Sequence, residues 1–338
     1  MYKVNATKEE ISAVLKEYNY TKVMLQFPDG LLDTFLDEIF QFLTDEKKIE
    51  VIIAGDPSYG ACDLPTVQAE ILQVEAIFHF GHSTFAFPPP KIGIAIHYFT
   101  VEAQININWV KILDKLRQYE WKKIGLLTTI QHTSIMSDIK NYISSDSPEF
   151  IIQKEGQILG CNQNRASAIA RDVDAFLVLA GGNFHASPVV VATGKPTLRF
   201  DPFNEQFYLF DDQYRVEYLK KRYAQITKAK KAKTFGILIS LKSGQKPADN
   251  GKRLVNLIRS AGKKAILIPM FRIDPNHLMN FNKIDAWVIN LCPRIATDDF
   301  VSFNKPILTA RELLVTLGLL DWDIFVNPMG DEQLLVLQ

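Results

Sequence analysis

Three stretches of the chain read alike: VEAIFHFGHSTF from Val74, VDAFLVLAGGNFH from Val173 and IDAWVINLCPRI from Ile284. Each places an acidic residue (Glu75, Asp174, Asp285) before an alanine, then an apolar run, then a turn of small or polar residues. Self-similarity at spacings of 99 and 111 residues predicts three copies of one unit. The likeness extends outward. An opening strand precedes each stretch: KVMLQF from Lys22, KIGLLTT from Lys123 and TFGILIS from Thr234. A second strand follows it, VIIAGD, FIIQKEG and KAILIPM in turn. After each stretch a lysine- and proline-containing lead enters a fourth short strand, in PPKIGIAI, GKPTLRFD and NKPILTAR.

Between strands the apolar residues take helical spacing. LLDTFLDEIFQFLTDE sets Leu32, Phe35, Ile39 and Phe42 on one face, and GKRLVNLIRSAG is polar in front and ends on glycine. Strands alternating with helices imply crossover connections and therefore parallel sheets. Nearly continuous apolar strands imply sheets covered on both faces. The fold class expected is α/β, with three homologous repeats, each a small parallel sheet flanked by helices. The repeats are assigned to residues 1–105, 106–210 and 211–338. The last opens with the basic segment YLKKRYAQITKAKKAK, read as a solvated helix linking units two and three.

Lys+Arg and Asp+Glu balance at 38 each, so no net positive field favours nucleic acid. No apolar run reaches the roughly 20 residues that span a bilayer, and MYKVNATKEE lacks the apolar core of a signal peptide. A cytoplasmic protein without nucleic-acid or membrane partners is expected. Thiols there stay reduced, and three widely spaced cysteines fit no disulfide framework.

Those cysteines are Cys62 in GDPSYGACDLP, Cys161 in ILGCNQNR and Cys292 in NLCPRIATDD. Ligands of open parallel sheets bind beyond the carboxyl ends of the strands. Cys62 and Cys161 each follow the second strand of their unit; Cys292 closes the third strand of its own. A buried cysteine usually only packs, but three at strand ends, one per repeat, can meet at a common centre. Three thiolates suit zinc with a fourth ligand or an iron–sulfur cluster with one open iron, and residue types alone do not choose between them.

Read in order, GDPSYGACD, GQILGCN, SLKSGQK and LCPRIATDD resemble the archaeal diphthamide synthases that perform the first step of diphthamide formation, over essentially the whole chain. The resemblance implies three α/β repeats around a central cluster site, with Cys62, Cys161 and Cys292 holding a 4Fe–4S cluster. It implies a radical enzyme that cleaves S-adenosylmethionine and transfers a 3-amino-3-carboxypropyl group to a histidine of translation elongation factor 2. A homodimer and an electron donor come with it. The compact CxxxCxxC motif of most radical S-adenosylmethionine enzymes is absent, as in that family, and Asp63 stands where the family's first motif often carries Cys or Val.

Further cofactor-binding candidates are the turns Gly81, His82, Ser83 and Gly181, Gly182, Asn183, whose glycines admit close backbone approach. Lys242, Gly244 and Gln245 follow the first strand of unit three; Lys242 and Gln245 are assigned the cofactor carboxylate or ribose. Arg294 is assigned that carboxylate or a tuning role, against a plain salt bridge with Asp298 or Asp299. Two other functions stay in view: a zinc-stabilised three-domain scaffold, and a non-redox transferase.

Overall fold

The computed structural model describes residues 4–84, 93–105, 107–146, 149–242, 244–245, 248–290 and 292–327. Residues 89–92 of PPKIGIAI, Ser243 and Leu291 therefore lie outside the described residues.

The first repeat holds β1 (Lys22–Gln26), β2 (Glu50–Ile53), β3 (Ala76–Phe80) and β4 (Ala95–Phe99), ordered β2-β1-β3-β4 and parallel throughout. The second holds β5 (Lys123–Thr128), β6 (Ile151–Gln157), β7 (Ala175–Leu179), β8 (Thr197–Asp201) and β9 (Gln206–Phe210), ordered β6-β5-β7-β8-β9. The third holds β10 (Thr234–Ser240), β11 (Lys264–Met270), β12 (Ala286–Asn290) and β13 (Ile307–Thr309), ordered β11-β10-β12-β13, again parallel. The strand order expected from threefold repetition is thus the same in each unit. β9 is an addition: the short connection from β8 permits only an antiparallel return.

Each sheet has an apolar core on both faces, which explains the unbroken hydrophobic runs; every residue of β3 and of β7 is buried. The repeats solve the same packing problem with different side chains. Gly125 pairs with Phe176, and Gly236 with Trp287, across the first and third strands. A Cβ at either glycine would lie within 2.6 Å of the facing ring, so the glycine is the seat of the aromatic. The first unit places Met24 opposite Ile77 there.

The repeated acid has a specific task. Glu75 accepts the Thr21 and Lys22 amides, Asp174 those of Lys122 and Lys123, and Asp285 those of Lys233 and Thr234. Each carboxylate ties the start of its unit's first strand to the start of the third, and these backbone N–H groups hold all three acids below their ordinary pKa.

Two expectations change. The helix Asp29–Gln41, which follows β1, buries Leu31, Phe35 and Ile39, leaving Leu32 only partly covered. The basic helix Asp212–Lys230 is not merely a solvated linker. It buries Arg222, Gln225, Ile226 and Ala229, and Arg222 makes a two-pronged pair with Glu312, both oxygens at 2.7 Å. The same guanidinium donates to the Ala296 and Ile307 carbonyls. A hydropathy reading misses such a residue because its charge is satisfied inside.

Candidate metal centre and ligand site

The carboxyl ends of β1, β3, β5, β7, β10 and β12 face a common centre, where contacts tie each pair of repeats. Between units three and one, the Gly244 amide donates to the Cys62 carbonyl at 3.1 Å, and Lys242 pairs with Asp63. Between units two and one, Gln131 Nε2 donates to the Gly81 carbonyl at 2.9 Å and Gln157 Nε2 to Ser83 Oγ at 3.2 Å. Between units two and three, the Arg294 guanidinium lies 4.5 Å from the centroid of the Phe184 ring. Phe184 also fills the space beside Gly160, where a Cβ would come within 2.3 Å of the ring.

The three cysteines are free, part-buried thiols. Cys161 is pushed up to about 12, first by burial and then by the charges of Cys292 and Cys62, so the three lie close enough to oppose one another's ionisation. Burial raises Cys62 as well, against a 3.4 Å hydrogen bond from Gln245 Nε2 to its sulfur. Burial raises Cys292, against the Arg294 backbone N–H. Sulfurs that resist ionising together are stabilised as thiolates by a cationic metal centre, which takes the place of their protons. The donor set, sulfur from each repeat and no carboxylate, is that of zinc or iron–sulfur chemistry. A single zinc ion would draw its sulfur ligands to within about 4 Å of one another, since Zn–S is about 2.3 Å and the geometry tetrahedral. Among the described residues no three His, Cys, Asp or Glu side chains are grouped to hold one ion. A cluster that accepts one thiolate per iron tolerates wider spacing.

The other candidates fall into two groups. Lys242, Gly244 and Gln245 stand directly against the Cys62 turn. Lys242 is engaged by Asp63 and lies 4.9 Å over the Tyr59 ring, Gln245 faces sulfur, and a Cβ on Gly244 would come 2.4 Å from Cys62 Cα. Arg294 makes the ion pair with Asp298, while its Nε has no hydrogen-bond partner among the described residues. Gly81 takes φ +75° and sits in the unit one–unit two contact. Gly181, Gly182 and Asn183 are exposed, with Gly182 at φ +78°. A cleft lined by Cys161, Phe184, Tyr218, Arg294 and Asp298 runs between units two and three.

Sequence reasoning passed over a buried polar chain beneath this site. Gln26 Nε2 donates to the Asp63 carbonyl at 2.7 Å, its Oε1 meets His79 Nδ1 at 2.7 Å, and His79 Nε2 meets His82 Nδ1 at 2.9 Å. Burial holds His79 down to about 3, helped by His82, and His82 down to about 4. The signal was present: a glutamine ends the otherwise apolar KVMLQ, and a histidine interrupts AIFHF at its register partner.

Comparison with known proteins places the geometry in context. The family model for diphthamide synthesis proteins matches residues 27–326. The 2-(3-amino-3-carboxypropyl)histidine synthase of Pyrococcus horikoshii is 34% identical over 335 residues, covering 96% of this chain and 93% of the relative. Subunit 1 of the Gallus gallus synthase is 28% identical, covering 93% of this chain and 80% of that protein. Dph2 from Pyrococcus horikoshii, solved with a 4Fe-4S cluster, superposes with a TM-score of 0.81 at 30% identity, over 95% of this chain and 93% of that one.

Proposed function

The chain belongs to the diphthamide synthesis protein family, and we propose on that footing that it is a 2-(3-amino-3-carboxypropyl)histidine synthase, catalysing the first step of diphthamide biosynthesis. The observation that carries this reading is that Cys62, Cys161 and Cys292, each from a different repeat, are part-buried and near enough for their charges to bear on one another. These thiolates would hold a 4Fe–4S cluster, with one iron not bound by the protein and open towards S-adenosylmethionine. The cluster, when bound, supplies the single electron that breaks a carbon–sulfur bond of that cofactor.

The protein's own residues position and protect. Gln245 donates to the Cys62 sulfur, and the Arg294 amide to that of Cys292; such donors raise the potential of an iron–sulfur centre. Arg294, at the mouth of the cleft and with a free Nε, offers a partner to the cofactor carboxylate. Lys242 serves through Asp63, fixing the Cys62 turn. The turns at Gly81–Ser83 and Gly181–Asn183 line the approach to the centre, and three interlocked repeats keep water from a reactive intermediate. The acceptor is a histidine of elongation factor 2, and the working form is a homodimer served by an external one-electron donor. No helix among the described residues is long and apolar enough to cross a membrane.

Anaerobic incubation of the cluster-loaded protein with reductant, S-adenosylmethionine and elongation factor 2 tests this. Mass spectrometry should find an aminocarboxypropyl adduct on one histidine, with methylthioadenosine released. A colourless protein carrying one zinc per chain and no adduct would sink the reading.

A further inference from the structure

The chain Gln26–His79–His82 determines which nitrogens carry protons. Gln26 Nε2 faces a backbone carbonyl, so it is the amide donor and Oε1 is an acceptor. His79 Nδ1, 2.7 Å from Oε1, must then carry its proton. Burial holds both rings well below the ordinary imidazole pKa, so near neutral pH both imidazoles are neutral, and with Nδ1 protonated His79 Nε2 is a lone pair. It can only accept, which makes His82 Nδ1, 2.9 Å away, the donor. By elimination His82 Nε2 is unprotonated. It lies on the same side of the Gly60 turn as the Cys62 sulfur, both about 4 Å from the position a Gly60 Cβ would take. No further hydrogen bond to it is present among the described residues.

A fixed acceptor at the edge of a thiolate-rich centre repels sulfur and carboxylate alike and needs an N–H or O–H donor opposite it. The ligand assigned above carries one such cation, the ammonium of its aminocarboxypropyl arm, attached to the carbon that also bears the carboxylate. We infer that His82 Nε2 accepts a hydrogen bond from this ammonium group, and that Gln26 and His79 are positioning residues that set the tautomer required. With Arg294 facing the carboxylate, the two contacts fix the arm's handedness and the carbon presented for bond breaking. This deepens the role proposed for S-adenosylmethionine and rests on it.

Binding without turnover tests the inference on cluster-loaded protein under anaerobic conditions. S-adenosylhomocysteine keeps the arm but has no sulfonium to cleave; methylthioadenosine lacks the arm. In His82→Asn, which loses the group at the Nε2 position, S-adenosylhomocysteine should bind about tenfold more weakly while methylthioadenosine stays within about twofold. His82→Gln, whose amide oxygen reaches that position, should recover most of the loss. Iron content and the visible spectrum should match the unsubstituted protein in both. Equal weakening of both ligands, no weakening, failure of His82→Gln to recover, or loss of iron would each overturn the inference. If the unsubstituted protein binds neither ligand, the cofactor assignment itself fails.

Discussion

Gly244 has no room for a side chain. A Cβ there would come 2.4 Å from Cys62 Cα and 2.9 Å from its carbonyl carbon and oxygen, all backbone atoms that cannot swing aside. Gly244→Ala must push the LKSGQ turn off the Cys62 loop, breaking the 3.1 Å hydrogen bond between them. The expected result is a folded protein that loads less than half the normal iron, by the order of the overpacking cost of about 1–3 kcal/mol. Iron-to-protein ratio alongside circular dichroism checks it. Gln245→Leu should act more gently: the cluster assembles, but one donor to sulfur is gone. A hydrogen bond of about 1 kcal/mol acting on a one-electron couple corresponds to a potential lower by about 40 mV, measurable by redox titration. At this scale the cysteines were legible because each follows a strand end. Gln245 stands out in sequence as a polar residue beyond a strand end, but its hydrogen bond to Cys62, 183 positions away, does not. Contacts between repeats leave no local trace in sequence.

Elements were more legible than partners because their signals are local. The acid–alanine–apolar pattern marked the third strand of every repeat, and the structure supplies its cause: a carboxylate needed to hold two adjacent amides at the start of the first strand. These groups have folded-state pKa values below those of the unfolded chain. Their stabilisation is therefore complete above the ordinary carboxylate pKa of about 4 and is lost as pH falls through the lower folded values. Replacing Asp174 by Asn should lower the unfolding midpoint near neutral pH, by about 1 kcal/mol for a partly solvated pair of hydrogen bonds. The gap to the unsubstituted protein should close as acid titrates Asp174 itself; thermal melts across acid pH read it directly. A gap that persisted unchanged below the folded pKa would assign the effect to something other than the charge. The helix Asp212–Lys230 marks the limit of such reading. Its lysines and arginines look alike on paper, yet only Arg222 is inside, and Arg222→Met should cost about 3–5 kcal/mol by stranding Glu312. Pairing it with Glu312→Leu should restore much of the loss in chemical denaturation.

At the scale of the whole molecule, three sheets with two-sided cores each contribute one cysteine to the proposed centre. Each repeat's sheet carries an apolar core on both faces. Among the described residues, ties between the repeats at the strand ends include Gly244 on Cys62, Gln131 and Gln157 on the Gly81–Ser83 turn, and Arg294 over Phe184. A metal centre bonded to all three repeats adds a covalent tie at the same place, and its binding free energy belongs to the assembled state alone. Apo protein should then melt over a broad or stepwise transition as the repeats separate, and the loaded protein in a single sharper one at higher temperature. Replacing any one cysteine by alanine releases one repeat from the centre, so each of the three variants should return the loaded protein to the apo profile and abolish turnover. Calorimetry on Cys62→Ala, Cys161→Ala and Cys292→Ala, prepared anaerobically, distinguishes this from independent thiols. If one variant kept both the cluster spectrum and the sharp transition, its repeat would not share the centre, and the threefold construction of the site would fail with it.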